Sequence, residues 1–446
     1  MRHGGRRIAV IGSGISGLAA AWTLADPARG SVDHVALFEA GRYFGGHTHT
    51  VDITLPGADG SPVTHGVDTG FLVLNERTYP RLIRLFELLG VETVASDMSF
   101  SVQVPGGRGG TALEWSGSDL NTVFAQRANM LRPRFWRMLA EILRFNRLCT
   151  ALAERGAEQQ LAQPIGDFLA EHRFGAAFRD WYLLPMIGCI WSCPTDQMLR
   201  FPIATLIRFC HNHGLIQVAD RPQWRTVRGG AKHYVRRMLE RLPDARLNAA
   251  VTRVQQRPGG GATVHSAAGA EVYDEVVFAC HSDQALALLA DPTPEERAVL
   301  GAIRYHPNRA VLHTDTRLLP SRRLAWAAWN YERAATDSRE RTAVCLHYLL
   351  NRLQPLPFAQ PVVVSLNPVR EPAPGTVLGE YDYAHPVFDA AAIAAQRRLA
   401  EIQGRHQRWY CGAWTGYGFH EDGLKSGLAV AEALIERTTA AARQAA

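Results

Sequence analysis

An α/β fold in two parts is predicted by three features of the 446-residue chain. An apolar strand runs through a glycine-rich turn into a helix at the amino end, "RIAVIGSGISGLAAAWTLA". A second strand, glycine loop and helix, "RWYCGAWTGYGFHEDGLKSGLAVAEALIER", lies near the carboxyl end, and the stretch between holds one helical and one β-rich interval. Composition agrees, since 47% hydrophobic and 20% charged residues suit a globular protein with a sizeable core.

In the amino-terminal unit the strand covers Ile8 to Ile11, and Gly12, Gly14 and Gly17 form a G-x-G-x-x-G turn around Ile15 and Ser16. Such glycines permit a tight turn, close approach of backbone to a pyrophosphate and close helix packing, while the helix N-terminus offers N–H groups and a positive dipole. The pattern alone is weak, because a glycine turn without a ligand has the same letters. Its context strengthens it: the next strand, "HVALFEA", ends at Glu39 and Ala40, where an acid accepts the ribose hydroxyls of an adenosine. A Rossmann-like dinucleotide-binding domain is expected.

The next segment, "AGRYFGGHTHT", adds a second glycine pair, Gly45 and Gly46, before His47 and Thr48, which a plain nicotinamide-binding fold does not require. With "VDTGFLVLNERTYPRLIRLFELLGV" (67–91) following, the chain resembles the flavin-dependent amine oxidase superfamily. The resemblance implies FAD as cofactor, with the glycine pair near its pyrophosphate and Asp68, Gly70 and Phe71 beside the flavin. His47 stands where many members carry arginine, and reads either as a phosphate contact or as a neutral hydrogen-bonding group. Read without the resemblance, Asp68 is equally a turn or cap residue.

Downstream, "TVRGGAKHYVRRMLERL" is a glycine turn into an amphipathic helix, and "ARLNAAVTRVQQ", "GATVHSAAG" and "AEVYDEVVFAC" read as a small β-meander. The resemblance returns this stretch to the cofactor domain, with Val251 against the adenine and "FACHSDQAL" leaving the last strand. The expected FAD-binding domain is therefore discontinuous, 1–95, 225–290 and 396–446. A mixed α+β substrate domain over an antiparallel sheet takes 96–224, mostly helical, and 291–395, mostly β.

At the carboxyl end the resemblance implies a second cofactor fingerprint. Gly412 would lie beside the ribityl chain, and Glu421, Asp422, Gly423 and Leu424 match the motif at the start of the last helix. That helix N-terminus would face the flavin edge that gains negative charge on reduction. Trp414, Tyr417, Phe419 and His420 are expected along one wall of the substrate pocket. Ala413 departs from the acid that many relatives carry after the glycine.

Amine oxidation often relies on a lysine near the flavin, and Lys232 and Lys425, the nearest by motif, do not fit that role. The phrases "HSDQAL", "WNYE", "HYLLNRLQPL", "SLNP" and "YAHPVF" resemble instead a bacterial branch of predicted NAD/FAD-binding proteins associated with cyclopropane and methyl-branched fatty acid modification. This resemblance implies an FAD-dependent oxidoreductase, fatty acyl desaturase-like, acting on an unsaturated or methyl-branched chain, free or phospholipid-linked, with an unidentified electron acceptor. An acyl-chain double-bond isomerase, an amine oxidase and a non-catalytic flavin-binding partner subunit are the alternatives. His281, Tyr331, His385 and His420 are the catalytic candidates, and Asn330, Asn351 and Trp191 are candidates for shaping the pocket.

A formal charge of +6 over 446 residues is too small to point to nucleic acid, and none is expected as a partner. The seven cysteines show no zinc or thioredoxin spacing, so no metal is expected and a reducing, cytoplasmic setting is. The amino end is broken by glycines and does not read as a signal peptide, and no apolar run is long enough to span a bilayer. Between 127 and 147, six arginines (127, 132, 134, 137, 144 and 147) interleave with Met130, Leu131, Phe135, Trp136, Leu139, Leu143 and Phe145. This is either a peripheral contact with an anionic membrane, on its inner face, or a solvated basic face over a buried one.

Overall fold

The computed structural model describes residues 5–29, 34–106, 112–161, 163–217, 222–334 and 344–445. A five-stranded parallel sheet runs in the order Asp244–Arg246, His34–Phe38, Arg7–Ile11, Glu275–Phe278, Arg408–Tyr410. Alternation along its central strand sorts two cores. Ile8 and Val10 face the helices Ile15–Leu24 and His420–Ala445, whereas Ala9 and Ile11 face the meander Val251–Gln256, Ala262–Ser266, Gly269–Tyr273. The sheet is thus covered on both faces, as a parallel sheet requires.

The run "ARLNAAVTRVQQ" is not one strand. Asp244–Arg246 extends the edge of the parallel sheet, and only Val251–Gln256 belongs to the meander. Between them the chain turns back along the ribose acid, with Asn248 N–H donating to Gly41 O (3.0 Å) and Ala249 N–H to Glu39 O (2.8 Å).

A seven-stranded sheet carries the second half of the molecule, in the order Val377–Val387, Arg304–His313, Val363–Leu366, Cys345–Leu349, Trp329–Glu332, Phe100–Val104, Leu113–Ser116. It is antiparallel except where Trp329–Glu332 meets Phe100–Val104. The largely helical interval 96–224 therefore also supplies two strands of this sheet. Within the sheet Glu332, Cys345 and His347 lie buried together. A hydrogen-bond relay runs on from Glu332 through His347 (2.9 Å) and Ser365 (2.7 Å) to His313 (2.7 Å).

Over the sheet lies a helical layer whose elements are shorter than the apolar periodicity suggests. The expected helix 119–148 divides into Leu120–Val123, a 3-10 turn Arg127–Leu131 and the helix Pro133–Glu154, which starts where Pro133 occupies the first turn. Residues 164–188 break at Gly175, then pass through a wide π-turn, Arg179–Leu183, into Leu184–Trp191. No helix of the described residues is long and apolar enough to cross a membrane.

The strand that feeds the carboxyl-terminal fingerprint is anchored by a buried ion pair. Arg408, 1% exposed, meets Glu296 at 3.1 Å and also binds Asp291, while Tyr410 OH donates to Glu296 at 2.6 Å. Arg408→Met strands the Glu296 carboxylate in the core. The expected loss is about 3–5 kcal/mol in urea denaturation, because removing one partner exposes the desolvation cost of the other.

Candidate functional site

The amino-terminal turn has the geometry its glycines imply. Gly12 adopts φ +104° and a Cβ there would lie 2.8 Å from Ala279 O; one on Gly17 would lie 1.9 Å from Gly12 O. Gly14 is different: its backbone is ordinary, and among the described residues nothing lies within 4 Å of where its Cβ would project. The second pair closes on this turn. Gly45 bridges Gly14, its N–H donates to Ser13 Oγ (3.1 Å), and a Cβ on Gly46 would come within 3.2 Å of Gly14 Cα. Glu39 accepts from Ser13 N–H (3.0 Å) and Gly41 N–H (2.7 Å), which aims its carboxylate at the rim of the turn. The return through Asn248 and Ala249 brings the strand that begins at Val251 alongside.

The last helix packs against the first through small residues. A Cβ on Gly427 would lie 2.1 Å from Ser16 O, and one on Gly423 2.8 Å from Ile15 Cγ2. Both N-termini therefore open side by side. Gly412 is held by Ser426 Oγ, which accepts its N–H at 2.9 Å.

Two acids expected at the cofactor are used otherwise. The Glu421 carboxylate caps the helix Pro80–Leu89, accepting Arg81 N–H and Leu82 N–H at 3.0 Å each, and burial raises its pKa. Burial likewise raises the pKa of Asp422, to about 6. Asp422 accepts Tyr417 N–H (3.0 Å) and Phe419 N–H (3.1 Å), which folds the glycine loop back onto the helix start. Leu424, 1% exposed, is a core residue. Of the expected wall, Trp414 turns away: its indole donates to Cys280 O (3.3 Å) and packs with Phe278 and Tyr410 on the meander side of the sheet.

The remaining wall residues meet the helical layer. Phe419 stacks on Phe209 (4.8 Å), Trp191 packs against Phe209 (5.0 Å), and the Trp191 indole donates to Tyr417 O (3.3 Å). His420 stacks on Phe71 (3.9 Å, 11°) and its Nε2 meets Tyr234 OH at 2.6 Å and Thr48 Oγ1 at 3.1 Å; Thr48 and Tyr234 are also bonded to each other. A Cβ on Gly70 would strike His47 O at 2.2 Å, so Gly70 is what lets these segments touch.

Beside them lies a cluster of imidazoles. The His47 ring is 5.2 Å from His385, 5.1 Å from Tyr383 and 6.3 Å from His281, and His281 stacks on Tyr305 at 4.2 Å. Asn308 Nδ2 donates to His385 Nδ1 (3.0 Å), which places the ring proton of neutral His385 on Nε2. Burial lowers the pKa to about 4 for His47 and His281 and to about 3 for His385 and His420, so all four are neutral near pH 7. His47 Nε2 is buried with no hydrogen-bond partner among the described residues. Such an orphan costs about 1–3 kcal/mol, and a ligand acceptor would relieve it. With the open space at Gly14 and the paired helix ends, this fits the phosphate-bearing middle of a dinucleotide.

Asp68 acts as a staple. It accepts from Thr50 Oγ1 and from Ala231 N–H (3.0 Å), exchanges two hydrogen bonds with Gln354, and is raised by burial to about 6. The other polar candidates are structural. Asn330 bonds Ser101, Ala327 and His347 O, and Asn351 bonds Val362 N–H and Gln360 O. Tyr331 lies in the core against Gly188, apart from the imidazole cluster. Lys232 pairs with Asp52, and Lys425 is exposed. Sequence reasoning missed Tyr234, Tyr383, Tyr305 and Asn308, which sit in ordinary helix and strand patterns and reach the site only through tertiary contacts.

Gly14→Ala is expected to leave the thermal midpoint unchanged, since the methyl meets no described chain atom, yet to weaken flavin binding at least tenfold in a titration that follows flavin fluorescence (~1.4 kcal/mol per decade). The imidazoles set a pH dependence. Their folded pKa values lie below the ordinary 6.5, so the unfolded chain binds more protons between pH 6.5 and about 4, and stability falls as pH drops through that window. Asp68 and Asp422, raised to about 6, oppose this in part, because their proton binds the folded state more tightly. His385→Asn is expected to flatten the fall in a series of thermal melts.

Residues 15–353 match the flavin containing amine oxidoreductases. No curated protein matches the chain. Among solved structures, a CLA-producing fatty acid isomerase from P. acnes has a TM-score of 0.65 at 16% identity, with 96% of this chain and 98% of that one covered. Cyclohexylamine oxidase from Brevibacterium oxydans IH-35A gives 0.64 at 16%, covering 98% and 100%, and wild-type putrescine oxidase bound to putrescine gives 0.63 at 16%, covering 97% and 99%. At these identities the likeness is one of fold. The match over residues 15–353 is more than half of the chain, and it establishes that this protein belongs to the flavin containing amine oxidoreductase family, with FAD as its cofactor and oxidoreduction as its chemistry.

Proposed function

We propose that this FAD-dependent oxidoreductase desaturates a fatty acyl chain, unsaturated or methyl-branched. The observation that carries the reading is the wall at the start of the last helix: Trp191, Phe209, Tyr417 and Phe419 form an aromatic cluster, while Lys232 pairs with Asp52 and Lys425, in the second turn of that helix, is exposed. An alkyl chain gains from such a surface by burial alone. An amine oxidase shares the aromatics but often adds a lysine near the flavin, and Lys232 and Lys425 do not supply one.

When bound, FAD supplies the hydride acceptor. The aromatic wall orients the chain and excludes water. A neutral imidazole is the form that accepts the proton leaving the adjacent carbon, and His281 and His420 are held in that form by burial, whereas the acceptor nitrogen of His385 is already taken by Asn308. Their low pKa values make them weak bases, so they serve best where hydride loss leads and the proton follows. The two electrons then pass to an external acceptor. An acyl double-bond isomerase, which returns the hydride and needs no acceptor, is the second reading, and the fold shared with a fatty acid isomerase supports it.

The test mixes the FAD-loaded protein anaerobically with phospholipids bearing unsaturated or methyl-branched chains, and separately with simple amines, while flavin absorbance is followed near ~450 nm. Bleaching by lipid with a new double bond is the expected result. Bleaching by an amine alone sinks the proposal, and a moved double bond without lasting bleaching selects the isomerase.

A further inference from the structure

The helix Pro133–Glu154 buries Phe135, Met138, Phe145 and Cys149, yet its outward side is not simply polar. Trp136, Ala140 and Leu143, spaced four and three residues apart, share an exposed stripe. Just ahead of it Leu131 is 87% exposed and Leu120 79%, with Met130 and Trp136 about half exposed. The knob they form is ordered. The Trp136 indole donates to Met130 O (2.9 Å) and packs on Phe124 (5.2 Å), Arg127 donates to Phe124 O (3.0 Å), and Asp119 caps Leu120–Val123.

Positive charge surrounds this apolar surface. Arg127, Arg134, Arg137, Arg144 and Arg147 are exposed and Arg132 is half-buried. The acids between 119 and 147 are already committed, Asp119 to Thr122 N–H and Glu141 to Arg137 and Gly175 N–H. Exposed leucines and an indole ringed by arginines match an anionic bilayer in both respects: apolar tips enter the interface and guanidinium groups meet phosphates. A purely solvated face would keep the arginines and lack Leu120, Leu131 and Trp136.

We infer that the knob at residues 120–147 docks on a membrane containing anionic phospholipid. The inference extends the acyl-chain reading and rests on it, because Pro133–Glu154 packs on the helix Ile203–Asn212, which carries Phe209 of the aromatic wall. Docking would set the helical layer that walls the site against the lipid that supplies the chain.

The test sediments the FAD-loaded full chain with phosphatidylcholine vesicles, with and without phosphatidylglycerol, at low and high salt. Binding that requires phosphatidylglycerol and is lost at high salt is expected. Replacing Arg134, Arg144 and Arg147 together by Gln is expected to weaken it on the order of a hundredfold, and Leu131→Asp by about tenfold, with flavin content and circular dichroism unchanged. Absence of binding to anionic vesicles, or binding unaltered by both variants, overturns the inference. Failure of the acyl reading looks different: vesicle binding persists while no lipid reduces the flavin, whether in vesicles or dispersed in detergent.

Discussion

Everything at the site depends on how closely two helices approach. The first and last helices meet where Gly423 and Gly427 face Ile15 and Ser16, and any side chain at Gly427 would collide with the backbone of Ser16. Because each helix follows a strand of the same parallel sheet, this contact sets two N-termini at one end of that sheet, with their dipoles converging on the same space. An electron-rich ligand is favoured there before any side chain contributes.

Around that point the protein places neutral groups more than charges. The imidazoles are uncharged through burial, Glu421 and Asp422 are occupied by backbone N–H groups, and the wall from the helical layer is aromatic. Charge for the cofactor comes from helix ends and oriented backbone, which cannot lose a proton. Such a site varies little with pH above the value of about 6 at which Asp68 and Asp422 gain protons.

Much of this was legible in the sequence, because its signals are local. A strand, a glycine turn and a helix are written in consecutive residues, so both fingerprints, the glycine pair at Gly45 and Gly46 and the meander could be read directly. What escaped is non-local. Glu421 occupies a motif position, yet its carboxylate serves a helix that starts at Pro80. Trp414 stands among the loop aromatics but faces the other side of the sheet. Tyr234 and Tyr383 come from a helix and a strand with ordinary patterns, and meet His420 and His47 only through contacts distant in sequence. The interval 96–224 hid two strands because its helices dominate the apolar periodicity.

The bond between Asp68 and Gln354 joins the amino-terminal part of the chain to the connection between Cys345–Leu349 and Val363–Leu366 of the seven-stranded sheet, and Thr69 with Tyr383 (2.7 Å) repeats that join nearby. Two fasteners at one seam disfavour any clamshell motion of the halves. Access to the interior then depends less on parting the halves than on movements within each of them.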